Sequence, residues 1–405
     1  MTREVNLNIS DSKSTGRFGI RDEAMVDLAA SHGVPLPASV DVITAPQPCG
    51  KFHFIENKIY DFSRISEILN LSISKNHHTN SGPVSHLLEA VVAGVTQIGR
   101  TQKIIAVSSG TTALHIACNF HRVVNQNPEM RWVTSAFTFK SSTASNLSSS
   151  IVIDCDQYGR FDLHRLKELP LSSYDGVIFT NVFGQMADWD DVDAFCKNNN
   201  KKLVIDNATG LLDHIETPIK GEAPIEIISA HHTKPWGVGE CGLILCSADQ
   251  EPLIRKLSNF GDDHIPQTQA AASNFKLSDL AAAAVIDRLE RMPFWAPLYS
   301  QQESRIAKIL EDDFKSISSL KGTTEPKSPR THAPFTNQFP IENFKHTSSL
   351  TFMKYYQPLA PNYEYNNDLS NALALYKKIL CIPNNPEYLT VSTDQLIYDF
   401  KKILD

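Results

Sequence analysis

Short apolar runs recur through the middle of the chain, separated by polar or amphipathic stretches. KIIAVSS (103–109), RWVTSAF (131–137), IVIDCD (151–156), GVIFTNV (176–182), KLVIDN (202–207), IEIISA (225–230) and GLILCS (242–247) are rich in Val, Ile and Leu. They are too short for helices, and their continuous apolar character predicts strands buried on both faces. Between them, GTTALHIACNFHRVV, FDLHRLKEL (161–169) and DWDDVDAFCKNNN (188–200) carry apolar residues at helical spacing, and SHLLEAVVAGVTQIG (85–99) opens the alternation. Strands alternating with helices predict an α/β fold, with a mostly parallel sheet covered by helices on both faces. GLILCS follows IEIISA without an intervening helix, which predicts one antiparallel edge pairing.

After about residue 265 the pattern changes. LSDLAAAAVIDRLERM and SQQESRIAKILEDDF read as amphipathic helices, followed by a Pro/Thr/Ser-rich stretch at 322–349. NDLSNALALYKKIL and TDQLIYDFKKIL read as two more helices, and the whole region reads as a smaller α+β domain. The expected organisation is an irregular N-terminal extension over 1–60, a large domain over 61–265 and a small domain over 266–405, a division that suits 405 residues.

Composition narrows the function classes. A net charge of −7, with no block of consecutive Lys or Arg, argues against a nucleic-acid or anionic-membrane surface. The polar start MTREVNLNISDSKS lacks the apolar core of a secretory signal, and no apolar run has the length of a membrane span. Seven scattered cysteines without a C-x-x-C pair fit a reducing compartment, so a cytoplasmic protein is expected. NHHTN (76–80) has no carboxylate or cysteine at ligand spacing, so no metal site is expected.

Three stretches carry chemistry. In SAHHTKPWGVGECGLILC (229–246), Gly237, Gly239 and Gly242 spell the dinucleotide pattern G-x-G-x-x-G, but they open into a strand rather than a helix, which excludes that reading. Lys234 in the same stretch is either a positioned nucleophile or an ordinary loop lysine. SSGTTALHIAC (108–118) is a strand-to-helix turn whose backbone N–H groups and hydroxyls suit a phosphate, although capping by Ser109 or Thr111 alone is an alternative. KLVIDNATG puts Asp206 at the carboxyl end of an apolar strand, where open α/β sheets place their ligand crevice. A phosphate cradle, a strand-end acid and a loop lysine are the three groups that pyridoxal 5'-phosphate (PLP) requires.

In order and interval these motifs resemble the DegT/DnrJ/EryC1/StrS family of PLP-dependent sugar aminotransferases, of fold type I, over roughly residues 80–400. SSGTTALHIA is similar to the family's phosphate turn, which implies Gly110 and Thr111 as cofactor ligands. TSAFTFKSSTASN is similar to its T-F-x-A-T segment and implies that Phe139 stacks on the cofactor ring; strand alternation would then turn Lys140 away. NVFGQMADWD resembles Y-G-x-x-A-D-x-D, and VIDNATG resembles E-D-A-A-Q, which implies Asp206 at the pyridine nitrogen. SAHHTKPWGVGECG is similar to S-F-H-x-T-K-x-x-x-x-G-E-G-G and implies Lys234 as the Schiff-base lysine and Ser229 as a phosphate ligand. SNFKLSDLAAAAVIDRLERM implies that Asn274 reaches the phosphate of a neighbouring subunit, and hence a homodimer with shared active sites.

The resemblance departs at Thr209, where the family has Gln or His near the cofactor's phenolic oxygen; at Cys241, in place of glycine; and at Lys276, in place of arginine. The activity it implies is amino transfer from an amino acid, L-glutamate foremost, to a keto sugar carried on a nucleotide. The alternatives are a keto-cyclitol aminotransferase, a PLP-dependent sugar dehydratase, or a catalytically idle member with a regulatory role. A lysine rather than a histidine at 234 favours amino transfer over deoxygenation.

Overall fold

The computed structural model describes residues 52–99, 101–184, 189–215, 223–262, 264–320, 326–341, 350–360 and 368–404. Positions 1–51 of the expected extension, 185–188 of the motif after β4 (Gly176–Thr180), and 322–325 and 342–349 of the Pro/Thr/Ser-rich stretch lie outside them.

The seven predicted strands form one sheet. In chain order they are β1 (Gln102–Val107), β2 (Trp132–Ser135), β3 (Ile151–Ile153), β4, β5 (Lys202–Asp206), β6 (Ile225–Ser229) and β7 (Gly242–Ser247). The spatial order is β1-β7-β6-β5-β4-β2-β3. The five strands from β6 to β3 run parallel, while β7 is antiparallel to both β6 and β1. The expected antiparallel pairing is therefore present, but β7 lies inside the sheet and β1 takes the edge. With no crossover helix, β7 must turn straight back along β6 and then present its other side to β1.

Helix α3 (Gly110–Val124) packs on one face against β5, β6 and β7, burying Ala113, Leu114, Ile116 and Ala117. On the other face lie α1 (Phe62–Lys75), α2 (Pro83–Thr96) and α8 (Asp279–Glu290). The sequence reading missed α1; its N-cap is Asp61, whose side chain accepts from the Arg64 N–H at 3.0 Å. The alanine run at 281–284 lets α8 lie close against α1 and α2. Asp279 in the first turn of α8 accepts from the Val84 and Ser85 N–H groups at 3.2 and 2.9 Å, and from the Ser72 and Ser85 hydroxyls. One buried carboxylate thus caps α2 and joins three helices.

Helix α9 (Met292–Asp313) begins eight residues earlier than the predicted SQQESRIAKILEDDF stretch and contains Pro297. Its first half packs Trp295 and Tyr299 into the large core; its second half packs Ile306 and Ile309 into a separate cluster. That cluster covers a three-stranded antiparallel sheet of order β10-β9-β8, made by β8 (Ile317–Ser319), β9 (His332–Asn337) and β10 (Ile379–Pro383). The predicted NDLSNALALYKKIL helix is shorter than read: α10 (Ser370–Lys378) stops at Lys378, and ILCIP becomes β10, fully buried against β9. The last helix, α11 (Thr393–Leu404), follows its predicted pattern.

Candidate active site

The carboxyl ends of β4, β5 and β6 and the N-terminus of α3 open into one cavity of about 700 Å³. All but one of the residues singled out from sequence line it: Gly110, Thr111, Phe139, Asp206, Thr209, Ser229 and Lys234. Asn274 is exposed elsewhere and does not line the cavity of its own chain.

The phosphate-type cradle arises where β1 turns into α3. Ser109 caps the helix, its hydroxyl accepting from the Thr112 N–H at 3.1 Å. The capping expected of Ser109 is therefore real, but it satisfies only one of the first-turn donors. The Gly110 and Thr111 N–H groups have no acceptor among the described residues, and both residues line the cavity. Glycine is required at 110 by proximity: a Cβ there would stand 2.9 Å from Ser229 Cβ. This close approach brings the end of β6 to the helix N-terminus, so the Ser229 hydroxyl joins the same anion-binding corner.

Asp206 closes β5 and is buried. Burial pushes its carboxyl up to about 6, against the pull of the Ala208 N–H and the Lys234 charge. Lys234 stands on the turn between β6 and β7. Burial lowers its ammonium below the ordinary lysine value, while Asp206 opposes that shift. A carboxylate and a lysine therefore face one apolar-walled cavity, each tuned toward neutrality and each steadying the other's charge.

The turn carrying Lys234 is tightly folded. The Lys234 N–H donates to the His231 carbonyl at 2.8 Å, and the Gly237 N–H donates to the Lys234 carbonyl at 2.9 Å. A Cβ on Gly237 would lie 2.1 Å from the His231 carbonyl, so this turn admits only glycine there. Cys241 is buried and is not among the residues with positive φ, which explains why a glycine is dispensable at that position. His231 pairs with Glu240 at 3.2 Å and with the Thr233 hydroxyl, and all three border the cavity.

Phe139 is half-exposed in extended backbone, and Lys140 follows it into a short 3₁₀ turn. Strand alternation therefore does not separate the two, because β2 has ended at Ser135; the 3₁₀ turn does, and Lys140 is not at the cavity. The Thr209 hydroxyl donates to the Asn181 carbonyl at 3.4 Å and lines the floor beside Asp206. Lys276 bonds the Asn259 side chain at 2.6 Å and lies over the Phe260 ring, outside the cavity. Among the described residues there is no His/Cys/Asp/Glu group that could hold a metal ion.

The sequence reading missed the opposite wall. Phe54 and Ile55 come from the segment before α1, Thr331 and His332 from β9 and the residue before it, and Tyr355 and Tyr356 from the irregular stretch 350–360. His332 packs against Phe54, Phe183 and Tyr355, and neither ring nitrogen has a hydrogen-bond partner among the described residues. Burial and the Lys234 charge push it down to about 3, so it is a neutral imidazole. No local pattern marks this wall, because its members lie far apart in sequence.

The residues on the cavity floor fit PLP. They offer hydroxyls and helix N–H groups for a phosphate, a buried carboxylate for a pyridine nitrogen, and a desolvated lysine for an aldehyde.

Comparison with known proteins shows the fold and the family. The chain is 23% identical over 346 residues to a dTDP-4-amino-4,6-dideoxy-D-glucose transaminase of Shigella dysenteriae, spanning 79% of this chain and 89% of that protein. Its fold matches that of DesI, solved in the presence of its TDP-sugar product, with a TM-score of 0.73 at 19% identity, covering 94% of this chain and 96% of DesI. It also matches PseC of Helicobacter pylori, an aminotransferase of pseudoaminic acid biosynthesis, with a TM-score of 0.68 at 16% identity over 87% and 97% of the two chains. A family description spanning residues 63–400 fits the sequence, and with it the chain belongs to the DegT/DnrJ/EryC1/StrS aminotransferase family.

Proposed function

We propose that this chain is a PLP-dependent aminotransferase that moves an amino group from an amino acid, L-glutamate foremost, to a nucleotide-linked keto sugar. The observation that carries the reading is the pairing of a desolvated Lys234 with the buried Asp206 across one cavity, next to a helix N-terminus suited to phosphate. The sugar class is supported by family membership and by the activity named for the Shigella dysenteriae relative.

Ser109, Gly110, Thr111 and Ser229 would hold the phosphate, Asp206 the pyridine nitrogen and Lys234 the aldehyde, with Phe139 against the ring and Thr209 toward its phenolic oxygen. PLP supplies an electron sink for the pair released when the donor's Cα–H bond breaks. Asp206 is raised only to about 6, so it is mostly ionised at neutral pH and can hold a proton on the nitrogen opposite it. Lys234, its affinity for protons reduced by burial, takes the proton from the donor's α-carbon and returns one at the other end of the exchange. The apolar residues around it keep water from competing for that proton. With the keto sugar the same groups act in the reverse order.

Asn274 is exposed on its own chain, which supports the reading that it completes the site of a neighbouring copy, so the active form is a homodimer. The test is to load the protein with pyridoxamine phosphate, add a dTDP-linked 4-keto-6-deoxy sugar, and weigh the product. An amino sugar together with regenerated PLP supports the reading; amine transfer to a keto-cyclitol alone replaces the substrate class.

A further inference from the structure

Lys58 lies in the segment that precedes α1, just before the residues that the family description covers. It is 5% exposed and has no direct carboxylate partner among the described residues. Its ammonium points into the turn that carries Lys234. It donates to the His232 carbonyl at 2.5 Å, to the Gly237 carbonyl at 2.6 Å, and to the carbonyl of Lys234 itself.

A second cation completes the arrangement. Arg288 Nε donates to the Pro235 carbonyl at 2.8 Å, and its guanidinium stacks over Trp295 at 4.2 Å. Arg288 also pairs with Glu56, which accepts from the Tyr299 hydroxyl at 2.8 Å. The carbonyls of residues 232, 234, 235 and 237 thus all accept from two cations, both supplied from outside the stretch that forms the large sheet.

Resting on the aminotransferase reading, we infer that Lys58 is a positioning residue: its ammonium fixes the carbonyls of the 232–237 turn so that the Lys234 side chain is aimed into the cavity. Three convergent carbonyl oxygens repel one another unless a donor with three N–H groups sits between them, and an ammonium is the only side chain that offers three from one atom. Burial and the Arg288 charge push Lys58 well below the ordinary lysine range, with Glu56 opposing and Lys234 adding to that pull. A neutral amine has only two N–H groups, so the contacts observed are those of the charged form.

The test compares wild type, Lys58→Met and Lys58→Arg by two readouts. The first is the pH dependence of Lys234 acetylation by acetic anhydride in cofactor-free protein, followed by mass spectrometry. The second is kcat and KM for L-glutamate in the PLP-loaded protein. A Lys234 side chain no longer aimed into the cavity regains water, so its labelling midpoint is expected to move to higher pH in Lys58→Met. There kcat falls about 10- to 100-fold with KM changed far less, as for a misaimed catalytic group. Lys58→Arg, which keeps the charge but cannot present three N–H groups from one atom, is expected to shift the midpoint in the same direction. Should Lys58→Met not fold, Lys58→Gln carries the same comparison, being uncharged and too short to reach all three carbonyls. A labelling midpoint and kcat equal to wild type in the uncharged variant overturn the inference and leave Lys58 as a packing residue. If wild type itself transfers no amino group, the aminotransferase reading fails while the labelling profile still decides the role of Lys58.

Discussion

The two walls of the cavity are built by opposite means. The floor, comprising Gly110, Thr111, Asp206, Ser229 and Lys234, is polar and sits where strands end or a helix begins. Each of these residues is positioned by its own local element, and the sheet brings the elements together. The facing wall, comprising Phe54, His332, Tyr355 and Tyr356, is aromatic and is gathered from three distant segments. Tyr356 stacks on Phe183 with ring centroids 5.4 Å apart, and His332 is held among rings with no polar partner. On the proposed function the floor has the groups that move protons and hold charge, whereas the wall has shape and little charge. On that reading, chemistry and selectivity occupy separate parts of one chain.

That division can be broken by mutation, and the largest effect is expected on the floor. Lys234→Ala removes the group that carries the proton, and turnover with any amino donor should drop by about 10⁴-fold or more. Steady-state kinetics with several donors would check it; a variant with near-normal kcat would mean that the floor does not hold the chemistry.

Asp206→Asn keeps the shape and removes the charge, and should lower kcat by about 10²- to 10⁴-fold. The pH dependence sharpens the same point. Because burial raises Asp206 to about 6, the carboxylate is present above that value and is lost as pH falls through it. PLP affinity of wild type, followed by titration, should therefore weaken below about pH 6, and Asp206→Asn should flatten that limb.

Gly110→Ala places a methyl 2.9 Å from Ser229 Cβ. It should cost about 1–3 kcal/mol through overpacking, read as a lowered melting temperature together with weaker PLP binding. On the wall, His332→Phe preserves the ring packing and the absence of charge. It should leave the half-reaction with glutamate within a few-fold of wild type and change KM for the keto sugar by about 10-fold, the scale of one lost buried polar contact. If the glutamate half-reaction collapsed instead, the wall would have to be counted with the chemistry.

Legibility in the sequence followed the same boundary. The seven strands were readable because burial on both faces leaves unbroken Val/Ile/Leu runs. The floor was readable because its residues sit at strand ends and turns whose composition betrays them, such as the Ser-Gly-Thr start of α3 and the glycines after Lys234. Placing β7 at the edge of the sheet failed because pairing order is a tertiary property that no local pattern records. Extending the helix over Ile379 and Leu380 failed because they continue a helical apolar pattern, and only pairing with β9 makes them a strand. Lys58 was invisible for a related reason: a lysine among polar neighbours looks like any surface charge until the turn that it holds folds over it.

The most direct test of the central claim is the absorption spectrum of PLP-loaded protein before and after L-glutamate, run in parallel on Lys234→Ala. The account predicts a visible band in wild type that glutamate converts to that of the amine form of the cofactor, with one equivalent of 2-oxoglutarate released, and no such conversion in the variant. A wild-type protein that binds no PLP, or whose spectrum glutamate and other amino donors leave unchanged, would contradict it.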